Sequence, residues 1–215
     1  MKIGILGSGN VGQALGLGFA GRGHDVLMGT RDPTSEAATA WALKAGANAS
    51  VVSYSEAAAW CGIAIFAPSW THTQDVVDAA GAGNLSDKIV IDVTNPVGPL
   101  PDGGFGLLVS VNEGAGVLLQ GMLPSAHVVK AFNSVGAALM VDPQFMDGTP
   151  TMPYCGNDPG AKQEVSAILA EFGWEPVDLG GIEFAGFIEA LAVVWMRYGS
   201  VTENWTHAFK MLVAG

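Results

Sequence analysis

Short runs of apolar residues recur along the whole chain, and within each run the apolar residues are mostly consecutive instead of alternating with polar ones. Consecutive apolar residues are typical of strands that are covered on both faces, which indicates a mostly parallel sheet. The runs that predict strands lie at 3–6, 25–28, 49–52, 63–66, 88–91, 127–132, 152–155 and 175–179.

The segments between these runs carry helical patterns. Two Asp-Pro pairs, Asp32-Pro33 and Asp158-Pro159, have the order of an N-cap residue followed by proline at the first helical position. The alternation predicts the α/β class: a doubly wound, mostly parallel sheet of the Rossmann type with a short C-terminal helical extension. Helices are predicted at 10–21, 34–46, 55–61, 72–81, 110–122 and 159–172, with a pair of helices after residue 182.

The chain shows no evident linker and no fixed-period repeat, so we expect residues 1–215 to form a single domain. Residues 1–180 then form a dinucleotide-binding core, and residues 181–215 form the C-terminal helices. Segment 93–109 is rich in proline and glycine and predicts a long loop. A loop of this length is uncommon in a compact domain unless it covers a functional site.

Composition and charge narrow the classes of function. Hydrophobic residues make up 49% of the chain and charged residues only 13%, so the chain can bury a large core and is not expected to be disordered. The formal net charge of −11 argues against nucleic acid or an anionic membrane as a partner. The uncharged stretches 3–21 and 57–74 are interrupted by glycine and polar residues, so neither is expected to span a membrane.

Cysteine and histidine positions argue against a metal site. Cys61 and Cys155 are the only cysteines and form no Cys-x-x-Cys pair, which fits a reducing, cytoplasmic compartment. The four histidines show no metal-ligand spacing. We therefore expect neither a disulfide nor a bound metal.

A glycine-rich loop follows the first predicted strand directly. Gly7-Ser8-Gly9-Asn10-Val11-Gly12 matches the dinucleotide-binding pattern, with Gly7 for the tight turn, Gly9 for close approach to the pyrophosphate and Gly12 for packing of the helix on the strand. The following helix start supplies amide donors and a positive dipole end. A second match, Gly16-x-Gly18-x-x-Gly21, lies inside that helix and is interpreted as packing. A strand-to-helix turn without a ligand is the alternative interpretation of the first match.

The end of the second predicted strand bears on the choice of nucleotide. An NAD-binding domain usually places a carboxylate there, about 20 residues beyond the glycine loop, to bind the ribose hydroxyls. Here Thr30 takes that position and Arg31 follows it, with a planar guanidinium that suits a 2′-phosphate. The sequence therefore favours NADP(H), with Ser35 as a further phosphate contact, and an NAD ribose held by Asp32 is the alternative.

Several short motifs occur along almost the whole chain in one order. Besides the loop at 7–12, they are 29–31 (GTR), 66–70 (FAPSW), 91–95 (IDVTN), 129–133 (VKAFN), 155–158 (CGND) and 176–180 (PVDLG), with Glu189 in the last predicted helix. In these the sequence resembles the NADP oxidoreductases that use the deazaflavin coenzyme F420 (F-420), and it is similar to the cytosolic domain of STEAP metalloreductases. It departs from the deazaflavin enzymes after Arg31, where they often carry further basic residues.

The resemblance implies that residues at the carboxyl ends of several strands converge on NADP(H), and that a second ring, F420 or a flavin (FMN or FAD), stacks on the nicotinamide. It also implies a small-molecule redox acceptor as the partner. The expected cofactor-binding residues are Gly7, Ser8, Gly9, Asn10, Val11, Gly12, Thr30, Arg31, Ser35, Ala67, Pro68, Ser69, His72, Asn95, Ala131 and Asn133.

Hydride transfer between two bound rings depends on proximity and exclusion of water, so no catalytic side chain is assigned. His72 is a hydrogen-bond donor at the cofactor edge or simply a polar residue at a helix start. Glu189 lies near the second ring, or faces solvent or a neighbouring backbone. The apolar C-terminal helices predict a homodimer. The alternative functions are a STEAP-like flavin or ferric reductase and a non-catalytic NADP(H) sensor.

Overall fold

An eight-stranded sheet forms the centre of the molecule. The computed structural model describes residues 1–101 and 103–214. The strands of these residues are β1 (Lys2–Leu6), β2 (Asp25–Thr30), β3 (Ala49–Ser53), β4 (Ile63–Phe66), β5 (Ile89–Asp92), β6 (Val97–Pro99), β7 (Phe105–Leu107), β8 (His127–Lys130), β9 (Thr151–Gly156) and β10 (Glu175–Asp178).

The order of the strands is β10-β9-β8-β5-β4-β1-β2-β3. From β3 to β8 all neighbours in the sheet are parallel, whereas β9 runs antiparallel to β8 and β10 runs parallel to β9. The chain moves outward from β1 to β3 on one side and then places β4, β5 and β8 on the other. This reversal between β1 and β4 creates the crevice at the carboxyl edge where doubly wound sheets bind ligands. The predicted fold class is confirmed.

Helices cover both faces of the sheet. They are α1 (Asn10–Gly21), α2 (Glu36–Ala45), α3 (Tyr54–Trp60), α4 (Thr73–Ala80), α5 (Ala115–Met122), α6 (Pro159–Glu171) and α7 (Ala185–Thr202). Each face has its own apolar cluster: Ile3 and Ile5 of β1 belong to one, with Phe19 of α1, and Leu6 belongs to the other, with Val77 of α4. Burial on both faces explains why the strands are continuous apolar runs in the sequence.

The helix after β2 begins later than the sequence predicted, because Ser35 caps it and Asp32 does not. The carboxylate of Asp32 instead accepts hydrogen bonds from the amide and hydroxyl of Thr34, at 3.0 and 2.7 Å. Pro33 consequently lies in the turn before α2. The second pair, Asp158-Pro159, does form the predicted N-cap and first turn of α6.

The predicted long loop at 93–109 contains the short antiparallel hairpin of β6 and β7, in which Val97 pairs with Leu107 and Pro99 with Phe105. The helix predicted to begin at residue 110 begins at Ala115, after Gly114, whose φ of 66° ends the preceding turn.

The predicted pair of C-terminal helices is wrong. A single helix, α7, is followed by a tail over 203–214 with neither helix nor strand. The tail folds back onto the domain: Trp195 Nε1 donates to the carbonyl of His207 at 2.8 Å, and the amide of Thr151 donates to the carbonyl of Phe209 at 2.8 Å.

By length and composition alone, Ile182–Thr202 is apolar enough to cross a membrane, and 39% of its apolar 18-residue window is buried inside the fold. In the structure this segment packs against α5 and β9 and carries the buried carboxylate of Glu189. Its apolar character is therefore partly explained by packing within the domain.

Candidate functional site

The glycine loop has the backbone geometry expected of a phosphate cradle. Gly7 has a φ of 139°, which favours glycine, and its amide donates to the carbonyl of Gly29 at 3.3 Å. A Cβ on Gly12 would lie 1.9 Å from the carbonyl oxygen of Gly7, so α1 packs there only because the side chain is missing. A Cβ on Gly9 would meet no atom within 4 Å, so this glycine faces open space.

Side chains around the loop hold it in place. Gln13 Nε2 donates to the carbonyl of Ser8 at 2.8 Å, and the hydroxyls of Ser8 and Thr30 are 3.3 Å apart. Gly9 is the N-cap of α1, and no side chain caps the helix there. The first amides of α1 are therefore available for an anionic ligand at the positive end of the helix dipole.

A cleft of about 320 Å³ begins at this loop and extends toward Arg31. Within the described residues, Arg31 makes no hydrogen bond or ion pair with the protein. Tyr54, which the sequence analysis missed, lies beside it: burial raises the pKa of its hydroxyl, although the charge of Arg31 acts in the opposite direction. The lining consists of Gly7, Ser8, Gly9, Arg31, Tyr54, Ala67, Pro68, Ser69, His72, Asp75, Val76 and Ala79.

A second cleft, of about 370 Å³, adjoins the first across Gly9 and the segment 67–69. The two clefts therefore lie side by side at the N-terminus of α1, the place where doubly wound folds bind an extended dinucleotide. The first cleft carries the guanidinium of Arg31, and the second carries two amide side chains and apolar groups. The second cleft is lined by Gly9, Asn10, Val11, Ala67, Pro68, Ser69, Trp70, Val93, Thr94, Asn95, Val97 and Met196.

Asn95, which lines the second cleft, is hydrogen-bonded to the buried Asn133. Asn133 Nδ2 donates to Asn95 Oδ1 at 2.9 Å, and Asn95 Nδ2 donates to the carbonyl of Asn133 at 2.8 Å. Phe132, just before Asn133, is fully buried with a φ of 60°, a backbone strained for a bulky residue. The strained residue thus directly precedes Asn133, which contacts Asn95.

A buried ion cluster lies behind the amide pair. The ammonium of Lys130 is 2.7 Å from Asp92 Oδ2 and 2.9 Å from Glu189 Oε1, and it donates to the carbonyl of Thr94 at 2.8 Å. All three charged side chains are at most 1% exposed. Burial opposes the charge of Lys130, but the two carboxylates outweigh it and raise its pKa above the ordinary value.

Glu189 also binds the start of α5, because its carboxylate accepts from the amides of Ala115 and Gly116 at 2.9 and 3.1 Å. Of the three expectations for this residue, exposure to solvent is wrong, because its side chain is 1% exposed, and contact with a neighbouring backbone is what the structure shows. Cys155 is buried nearby, and burial raises the pKa of its thiol to about 12.

The remaining predicted residues have varied surroundings. His72 lines the first cleft, with Nδ1 3.4 Å from Asp75 Oδ2. Gly12 is buried beneath the loop, and Ala131 is buried in the apolar core. Ser35 caps α2, and its contact with a phosphate stays a prediction.

No group of three His, Cys, Asp or Glu side chains capable of holding a metal occurs in the described part of the chain.

Tyr54 and Met196 line the clefts but were not predicted from the sequence. Tyr54 directly follows β3, and the position of β3 next to β2 is the signal that would have found it. Met196 reaches the cleft from α7, and only the tertiary packing of that helix brings it there.

The fold and the bipartite cleft define an NADP-dependent oxidoreductase of the Rossmann type. Residues 2–96 match the family model described as NADP oxidoreductase, coenzyme F420-dependent. A crystal structure from Arthrobacter sp. FB24, provisionally described as an F420-dependent NADP-reductase, superposes with a TM-score of 0.92 at 31% identity, over 99% of this chain and 100% of that one. The chain belongs to this family of F420-dependent NADP oxidoreductases.

The chain is also similar to metalloreductases. It is 30% identical over 191 residues to the rat metalloreductase STEAP3 and 27% identical over 192 residues to the human metalloreductase STEAP2. These alignments cover 88% and 89% of this chain but 36% of each relative. The chain therefore spans about a third of the length of the curated relatives that it matches.

Proposed function

We propose that this oxidoreductase transfers hydride between NADPH and a deazaflavin or flavin acceptor. The observation that carries the proposal is the pair of adjoining clefts at the uncapped start of α1, one lined by Arg31 and the other by Asn95. In one direction, NADPH, a proton and the oxidised acceptor give NADP⁺ and the acceptor reduced by two electrons and two protons. Bound NADP(H) supplies the hydride, and the protein supplies position and a site with little water.

The residues present fit NADP(H). The open face of Gly9 and the free amides of α1 suit the pyrophosphate, and the unpaired guanidinium of Arg31 beside Tyr54 suits the 2′-phosphate. The second cleft, with Asn95 and its partner Asn133, suits the nicotinamide, whose carboxamide both donates and accepts hydrogen bonds. Asp32 supports an NAD ribose poorly, because its carboxylate is already engaged by Thr34, which also holds its pKa below the ordinary range.

The test is an anaerobic assay of NADPH oxidation with F420, FMN and FAD as separate acceptors. We expect turnover with at least one of them, and a much lower rate with NADH. Loss of turnover in Arg31→Ala at low NADPH, recovered at high NADPH, would assign the defect to nucleotide binding. Tight NADPH binding without turnover on any acceptor would contradict the proposal and support a non-catalytic NADP(H) sensor instead.

A second candidate function is a flavin-dependent ferric reductase, favoured by the 30% identity to rat STEAP3. Its assay adds a ferric chelate to the NADPH and flavin mixture and follows formation of ferrous iron. Chelate reduction that exceeds the chemical reaction of free reduced flavin would favour this function over simple flavin reduction.

We also propose that residues 1–215 act as a single cytoplasmic domain that forms a homodimer through α7. The Lys130–Glu189 ion pair supports the first point, because it joins the core to the C-terminal segment. An exposed apolar stripe supports the dimer: Phe187, Val194 and Val201 recur at seven-residue spacing and are 53%, 55% and 61% exposed. Exposed apolar stripes of this kind are typical of helix interfaces.

A further inference from the structure

A third pocket adjoins the second cleft and shares no lining residue with the first. It has a volume of about 540 Å³ and is lined by Phe105, Val193, Met196, Arg197, Ser200 and Trp205. Met196 lines both this pocket and the second cleft. The β6–β7 hairpin also reaches both, through Val97 in the cleft and Phe105 in the pocket. The pocket is therefore next to the half of the site assigned above to the nicotinamide.

Two of the six residues that line this pocket are aromatic, and the fold leaves both partly exposed. Phe105 is 61% exposed and Trp205 is 50% exposed. Trp205 is nevertheless fixed: its ring lies 5.5 Å from that of Trp195, and it packs on Gly199, where a Cβ would come within 2.5 Å of Trp205 Cε3. A fixed, half-exposed indole offers a flat face on which a planar ring can stack.

The charge of the pocket is unusual for this protein. The chain carries 9 basic against 20 acidic residues. Among the described residues, Arg31, Lys44 and Arg197 are the basic side chains without a hydrogen bond, ion pair or aromatic partner in the structure. Two of these three are arginines: Arg31 lines the first cleft and Arg197 lines this pocket. An unpaired guanidinium beside an apolar pocket suits a ligand with a phosphate or carboxylate group.

We propose that the pocket bounded by Trp205 and Phe105 binds the ring of the redox acceptor, and that Arg197 selects acceptors whose side chain carries an anionic group. This inference rests on the proposed function and adds the acceptor's chemical class: a planar aromatic ring with a phosphate or carboxylate on its side chain. In this arrangement Arg31 binds the anionic group of the nucleotide, and Arg197 binds the anionic group of the acceptor.

The test compares FMN with riboflavin, because the two share one ring and differ by a phosphate. Each is titrated by its fluorescence against the protein with saturating NADP⁺, so that no turnover occurs. Wild type should bind FMN about 10-fold more tightly than riboflavin. Arg197→Ala should remove that preference and leave riboflavin affinity within about twofold of wild type. Lys44→Ala is the matched control, since it removes the same charge from an exposed cation on α2 and should keep the preference.

A second variant tests the ring wall. Gly199→Ala forces Trp205 from its position and should weaken FMN and riboflavin by similar factors, which keeps their ratio. Equal affinity of wild type for the two flavins, or an equal loss of both in Arg197→Ala, would overturn the inference. If the proposed function is wrong, NADPH is not oxidised with any acceptor. The flavin-binding measurement does not depend on that turnover, so the two failures can be told apart.

Discussion

The ammonium of Lys130 and the carboxylate of Glu189 lie 2.9 Å apart in the interior and join the end of β8 to the second turn of α7. Asp92, at the end of β5, contacts the same ammonium. Through these ion pairs, α7 is connected to the ends of two strands, β5 and β8, at the carboxyl edge of the sheet. Because Met196 lies on this helix and lines the second cleft, the ion cluster positions one wall of the site.

Removing the cation should damage stability more than neutralising one carboxylate. Lys130→Met leaves two buried carboxylates without their partner, and the free energy of unfolding should fall by about 3–5 kcal/mol. Glu189→Gln keeps the shape and leaves Lys130 paired with Asp92, so a loss of about 1–3 kcal/mol is expected. Urea unfolding of both variants measures the difference. A larger loss in Glu189→Gln than in Lys130→Met would show that the cluster is organised differently.

Stability should also depend on alkaline pH through Lys130. Its pKa in the folded state lies above the ordinary value of 10.5, because the two carboxylates outweigh the effect of burial. The stability that its charge contributes is therefore complete below pH 10.5 and is lost as the pH rises through the folded-state pKa. The measurement is the urea midpoint at increasing alkaline pH. Lys130→Met should show a shallower decline, and an identical decline in both proteins would contradict the assignment.

Substitutions at two glycines of the nucleotide loop should have different effects, one on NADPH binding and the other on stability. A Cβ on Gly9 meets nothing, so Gly9→Ala should stay within about 1 kcal/mol of wild type in stability while NADPH binding falls, because the methyl group enters the pyrophosphate space. A Cβ on Gly12 collides with the backbone of Gly7, so Gly12→Ala should lose stability by about 1–3 kcal/mol or more. Thermal unfolding with nucleotide titration checks both. Unchanged NADPH affinity in Gly9→Ala would rule out this position for the phosphates.

The fold follows from the sequence because its strands are covered on both faces. The strand core Ile3–Leu6 is apolar at every side chain that it buries, and Gly4 fits closely against Cys61. The hairpin of β6 and β7 gave no such signal, since strands of three residues rich in glycine and proline carry no period. The unpredicted antiparallel direction of β9 depends on how the loops after β8 pack, which local pattern does not encode.

The site was predictable where a backbone requirement fixes the residue type. Gly7 and Gly12 are examples, because a positive φ or a backbone contact excludes other residues. Tyr54 could have been found from the position of β3 next to β2. Met196 was not predictable, because it reaches the second cleft only through the placement of α7. The capping role of Ser35 was missed since Asp32-Pro33 offered an equally good local pattern.

The exposed stripe on α7 should bring two chains together. We expect wild type to sediment at the mass of two 22.1-kDa chains, and Phe187→Glu to shift it toward the monomer by placing a charge in the apolar contact. Leu43→Glu is the control, because Leu43 is 81% exposed on α2 and should not affect assembly. A monomer mass for wild type at all concentrations would remove the proposed dimer.

The most direct test of the central claim is a titration of NADPH and NADH against wild type and Arg31→Ala. If Arg31 binds the 2′-phosphate, its charge-assisted hydrogen bonds contribute about 2–3 kcal/mol. The variant should then bind NADPH roughly 30- to 150-fold more weakly, with NADH nearly unchanged because it lacks that phosphate. Thr30→Asp should weaken NADPH further by repulsion. An equal loss of affinity for NADPH and NADH in Arg31→Ala would mean that Arg31 supports the loop, and would contradict its assignment to the 2′-phosphate.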